Sequence, residues 1–147
     1  MKHSVVIIVV GFAFFSCDPV YRAEIKNETK QDILIEVGFD RQELEKSWNG
    51  KPYIPFLKSY PNDGLVENAI QFDTVNLTKT YRISPGLSFP LETGISSHPE
   101  YELFRSLQII YQDTLTFSNR TQISGTFRKI GKRHWLMTVM YALQQSL

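Results

Sequence analysis

Tyr21-Arg22-Ala23-Glu24-Ile25-Lys26, then Asn27-Glu28-Thr29-Lys30-Gln31-Asp32, then Ile33-Leu34-Ile35-Glu36-Val37, is the stretch that decides the fold class of this chain. Tyr21, Ala23 and Ile25 alternate with Arg22, Glu24 and Lys26, and Ile33, Ile35 and Val37 resume the alternation after a polar break. A period of two sends successive side chains to opposite faces of an extended backbone, so each run reads as a half-buried strand. The six polar residues between them read as the turn of a hairpin. Similar runs, rich in Val, Ile, Thr, Phe and Tyr, recur at residues 69–77, 79–84, 107–112, 114–118, 122–130 and 134–143. The last of these is apolar on both faces and belongs inside a sheet. Short strands between polar or Gly/Pro turns, without the long amphipathic helices of an α/β fold, predict an all-β chain: a single antiparallel β-sandwich.

One helix start interrupts the strands. Asp40-Arg41-Gln42-Glu43 approximates a capping box and leads to Leu44 and Trp48 at i, i+4, which predicts a helix of one or two turns. Beyond it, residues 48–63 place Gly50, Pro52, Pro55 and Pro61 among Trp48, Tyr53, Phe56 and Tyr60, which reads as a long ordered loop. No repeat or linker divides the chain, so one domain is expected over residues 17–147.

Composition narrows the function classes. With 147 residues, 42% of them hydrophobic, and 16 basic against 15 acidic side chains, the chain supports one core and is neither a disordered tail nor a generally basic nucleic-acid binder. A single Cys rules out an internal disulfide and a zinc site of the usual two to four thiolates. That Cys is conspicuously placed. Lys2 and His3 precede an apolar run from Val5 to Phe15, and Ser16-Cys17 follows it at once. Eleven helical residues rise about 16 Å, roughly half of a bilayer's hydrocarbon thickness, so residues 1–16 read as a cleaved signal segment.

Phe14-Phe15-Ser16-Cys17 resembles the lipobox of bacterial lipoproteins, with Phe15 where the commonest form has a small residue, as is familiar in Bacteroidota. The resemblance implies that Cys17 is lipidated and becomes the new N-terminus. The mature chain would carry 131 residues with equal numbers of acids and bases, held close to its membrane because only Asp18, Pro19 and Val20 precede the first strand. The order of signal, Cys17, an early strand and a late hairpin at residues 107–115 resembles short Bacteroidota lipoproteins, mostly without assigned activity. It implies an immunoglobulin- or transthyretin-like sandwich of the cell envelope, with the membrane as partner through the lipid; Asp18 directly after Cys17, without the acidic cluster of surface-exported lipoproteins, resembles the sorting signal of a periplasm-facing one.

Chemistry-bearing residues are few. His98, in Ser96-Ser97-His98-Pro99-Glu100, reads as a solvated turn, and His134, beside Lys132 and Arg133, as a strand end. The sequence contains no nucleophile elbow, His-Glu-x-x-His, phosphate loop or dinucleotide fingerprint, so no catalytic, cofactor or metal residues are assigned. The expected function is a lipid-anchored binding or scaffold module of the cell envelope; the alternative is an envelope enzyme whose site is assembled from scattered carboxylates and His98. Trp48, Tyr53, Phe56 and Tyr60 form the candidate loop for an envelope protein or glycan, or else a lid over the core. Asp73-Thr74-Val75 and Asp113-Thr114-Leu115 resemble the O-glycosylation motif of Bacteroidota, which makes Thr74 and Thr114 candidate modification sites. No acid follows Asp113, and Arg128, Lys129, Lys132 and Arg133 cluster at one turn that could meet anionic headgroups or simply solvate a hairpin.

Overall fold

A computed structural model describes residues 20–61 and 69–139. The signal segment, Cys17 and the end of the last apolar run lie outside the described residues. The chain is mostly β, arranged as two sheets. In chain order the elements are β1 (Tyr21–Lys26), β2 (Ile33–Phe39), α1 (Arg41–Trp48), α2 (Ile54–Ser59), β3 (Gln71–Asp73), β4 (Thr78–Ile83), β5 (Ser88–Gly94), β6 (Phe104–Ile110), β7 (Thr114–Phe117), α3 (Arg120–Gly125), β8 (Arg128–Lys129) and β9 (His134–Thr138). One sheet has the order β5-β1-β9-β8 and the other β3-β4-β2-β6-β7. Ala23, Ile25, Phe89, Leu91 and Met137 of the first share one buried cluster with Ile33, Ile35, Val37, Tyr81, Leu107 and Ile109 of the second.

The expected hairpin of β1 and β2 is not formed. The two strands belong to different sheets, β1 pairing with β5 and β9, and β2 with β4 and β6. The link between them is a corner built on Asn27, which is fully buried. Its Nδ2 donates to the carbonyls of Gln31 (2.9 Å) and Ile83 (2.8 Å), while its Oδ1 accepts from the Thr29 backbone N–H (3.0 Å) and hydroxyl (2.7 Å). One amide thus satisfies backbone groups that a change of sheet would otherwise leave buried without partners.

Not every pairing is antiparallel as expected: β9 lies parallel to β1, with Arg22 opposite His134 and Lys26 opposite Thr138. As expected for its apolar run, β9 sits inside its sheet, between β1 and β8. The stretch 122–130, expected as a strand, begins as helix α3. Asn119 caps it by accepting from the Gln122 N–H (2.9 Å), and Gln122 Oε1 accepts in return from the Ser118 N–H (2.7 Å). Reciprocal capping of this kind outweighs the weak alternation of the segment.

Helix α1 forms as its capping residues imply. Asp40 Oδ1 accepts from the N–H groups of Gln42 (2.9 Å) and Glu43 (3.2 Å). The return bond of a full box is replaced because the Asp40 N–H already donates to the Leu103 carbonyl (2.9 Å). Residues 48–63, expected as an irregular loop, contain helix α2, in whose first turn Pro55 is accommodated because no intrahelical N–H bond is needed there. The far end of α2 is closed by Lys79 on β4. Its buried ammonium donates to the carbonyls of Leu57 (2.8 Å), Lys58 (3.3 Å) and Tyr60 (2.6 Å), a cation on the negative end of a helix. Burial lowers the pKa of this ammonium, and the rings of Tyr81 and Phe72, 5.4 and 5.5 Å away, support the charge.

Candidate functional site

A cavity of about 550 Å³ opens where α2 and the start of β1 meet the ends of β5 and β6. Its surface is mainly apolar, with Phe56, Tyr60, Leu91, Leu103 and Phe104 in the wall, and Arg22, Glu92, Glu100 and Glu102 supplying charge.

Strand β5 shapes this wall through an irregularity. Pro90 cannot donate to a ladder, which suits an edge strand, and β5 is the edge of its sheet. The β1–β5 register shifts between Ala23 and Glu24, skipping Leu91. The Leu91 carbonyl is taken instead by the Tyr60 hydroxyl at 2.5 Å, which ties α2 to the sheet. Tyr60 is the hub of the neighbouring aromatic cluster. Its ring lies 5.1 Å from Phe39, 6.0 Å from Phe104 and 6.1 Å from Phe56, and its carbonyl accepts from both Lys79 Nζ and the Tyr81 hydroxyl (2.6 Å each). Burial drives its phenol well above the ordinary range, so the hydroxyl keeps the proton it donates.

Glu92 organises the opposite rim. One carboxylate oxygen accepts from the Tyr21 hydroxyl and the Glu100 N–H (3.1 Å), the other from the Tyr101 N–H (2.8 Å). Tyr21 can reach it because the residue opposite in the register is Gly94, where a Cβ would lie 2.7 Å from the Tyr21 ring. Burial, followed by the Glu92 hydrogen bond, raises the Tyr21 pKa. Glu102 faces Arg120 across 3.3 Å, and Glu100 donates its backbone N–H to this network while its charge adds to the field on Tyr21.

The aromatic segment divides. Trp48, Tyr53, Phe56 and Tyr60 are all partly buried and pack on the core, so they do not make an exposed patch. Phe56 and Tyr60 line the cavity; Trp48 backs Phe56 at 4.6 Å, and Tyr53 accepts from Arg41 Nη1 at 3.0 Å. His98 stands on an exposed loop outside the cavity lining, with Nδ1 2.8 Å from the Ser97 hydroxyl. His134 Nε2 meets Glu24 Oε2 at 2.9 Å, a partner supplied by strand pairing and hidden from a reading of sequence neighbours. Among the described residues no group of three or more His, Cys, Asp or Glu is placed to hold a metal ion.

Thr74 and Thr114 are both exposed. Thr74 sits in a turn fixed by Asp73, which accepts from the N–H groups of Val75 (2.8 Å) and Asn76 (3.0 Å) and from Asn76 Nδ2 (2.7 Å), bonds that hold its carboxyl below the usual range. Arg128, Lys129 and Lys132 are exposed and Arg133 is partly buried, all within the β8–β9 hairpin. Sequence reasoning missed Tyr21, Glu92, Leu103 and Phe104 as parts of a site, because their meeting depends on strand pairing across some 70 residues. Comparison with protein-family models, curated proteins and solved structures gives no match to this chain, so geometry and chemistry carry the functional reading.

Proposed function

We propose that this chain is a lipid-anchored binding module of a bacterial cell envelope. In this reading the domain is a sandwich of immunoglobulin- or transthyretin-like type, residues 1–16 are a signal peptide, and Cys17 carries the lipid. The observation that carries the binding part is the cavity. Its volume falls in the range of small-ligand sites, about 300–1,000 Å³, and it joins an apolar aromatic wall to a charged rim. Such a lining suits an amphipathic ligand with an apolar or aromatic body and a polar end, such as a glycan edge, a lipid fragment or a peptide side chain.

A second reading, an envelope enzyme, draws on the three glutamates at the rim. Two of them are already engaged, Glu92 in holding the Tyr21 and Glu100–Tyr101 backbone and Glu102 with Arg120, which favours binding over acid–base chemistry.

The neutral fluorophore N-phenyl-1-naphthylamine tests the binding reading without knowledge of the natural ligand. Wild-type protein should bind it with enhanced emission. Ser47→Trp, which places a bulky ring at the cavity from an exposed helical position, should weaken binding at least about tenfold, or 1.4 kcal/mol, with little change in unfolding temperature. Absence of binding to wild type, or equal affinity for both proteins, would overturn the assignment of the cavity as a ligand site.

A further inference from the structure

We propose that the β8–β9 turn rests on an anionic bilayer surface and tilts the domain so that its acidic β5 edge is the edge farther from the lipid. The proposal deepens the reading above and rests on an anchor at Cys17. Its basis is the parallel register of β1 and β9. Because Arg22 lies opposite His134, and the Arg22 N–H donates to the Arg133 carbonyl at 3.0 Å, the turn at residues 130–133 stands at the same end of the sheet as Val20. Only Asp18 and Pro19 separate Val20 from Cys17. Three extended residues reach roughly 10 Å. That is about one Debye length at 0.1 M salt, so cations beside Val20 would feel the surface potential of the bilayer.

The chemistry of that end fits anionic headgroups. Arg128, Lys129, Lys132 and Arg133 fall within six residues, and no acid occurs from Thr114 to Leu147. Lys129 Nζ stands 5.3 Å over the Trp135 ring. Ile130, at the tip between the cations, is 55% exposed, and Val20 is 59% exposed. The nearby acid on β1, Glu24, is already met by Arg22 Nε at 2.6 Å and His134 Nε2 at 2.9 Å.

Glu92 and Glu100 lie on the other side of β1, at the part of the cavity formed by β5 and the start of β6, while Val20 and Arg22 line its mouth at the anchored end of β1. The order β5-β1-β9-β8 separates the acidic and basic edges by three strand spacings, roughly 14 Å. An anionic surface attracts one edge and repels the other, so the domain leans on β8 and β9. The opposite end, the 27–32 corner and the 84–87 turn, balances Glu28 and Asp32 against Lys26 and Lys30 and offers no such preference.

Hydrogen exchange of the full mature chain, reconstituted into phosphatidylcholine vesicles with and without phosphatidylglycerol, tests this. Amides of residues 128–135 should exchange at least about threefold more slowly only when phosphatidylglycerol is present, with residues 84–90 unchanged. The combined substitutions Arg128→Gln, Lys129→Gln, Lys132→Gln and Arg133→Gln should remove the protection while the protein stays vesicle-bound. Equal protection in both vesicles, protection centred on residues 84–90, or the same protection by soluble polyphosphate would overturn the proposal. The wild-type comparison decides even if the substituted chain misfolds. A chain that joins neither vesicle refutes the anchor reading, an outcome distinct from bound protein with an unprotected turn.

Discussion

Asn27→Leu should cost the domain about 3–5 kcal/mol of folding stability, although the substitution exchanges a polar side chain for an apolar one of similar size in a fully buried position. The loss comes from the backbone groups left behind. Without the amide, the Ile83 carbonyl and the Thr29 N–H lose their 2.8 and 3.0 Å partners inside the corner, and each orphaned buried group costs about 1–3 kcal/mol. Gln31 O suffers less, because the Thr29 hydroxyl, whose one proton is released from Asn27 Oδ1, turns to this carbonyl 2.8 Å away. Asn27→Asp should be nearly as harmful, since it keeps the acceptor but aims a carboxylate at two carbonyls. Urea unfolding compares both with Asn119→Ala, which removes an exposed helix cap and should cost about 1 kcal/mol. Equal, small losses at the two asparagines would show that the corner does not depend on its amide.

Tyr60→Ala should be of similar size, about 4 kcal/mol, combining the cost of deleting a partly buried aromatic ring at the centre of its cluster with the loss of the bond to the Leu91 carbonyl. The ring touches Phe39, Phe56, Phe89, Tyr81 and Phe104, so its removal loosens both α2 and the cavity wall. Tyr60→Phe keeps the packing and should cost only about 1–2 kcal/mol. If the two variants unfold at the same urea concentration, packing by the ring is not what holds α2 against the sheets.

These two residues mark what the sequence disclosed and what it concealed. Alternation identified β1, β2, β4, β6, β7 and β9, because a half-buried strand writes its two faces directly into the order of residues. It could not tell which strand pairs with which. The period is the same in a hairpin and in a change of sheet, so Asn27 read as part of a polar turn. Strand β5 went unread because Pro90 interrupts Phe89 and Leu91, and α3 because the Asn119 to Gln122 spacing was outweighed by apolar alternation. Lys79 was legible in principle, since a period of two puts it on the same face as Tyr81 and Ile83. The cavity was not. Its walls come from residues within 20–22, Ser47, and residues within 56–61, 90–93 and 100–104, which only the completed topology brings together.

The most direct test of the lipid-anchored reading is the mass of the mature protein extracted from membranes, read together with incorporation of a palmitate analogue. The expected result is a chain beginning at Cys17, heavier than its polypeptide by the attached lipid, with label and membrane retention both lost in Cys17→Ser. An unmodified Cys17 thiol in the mature chain, or equal label in wild type and Cys17→Ser, would contradict it.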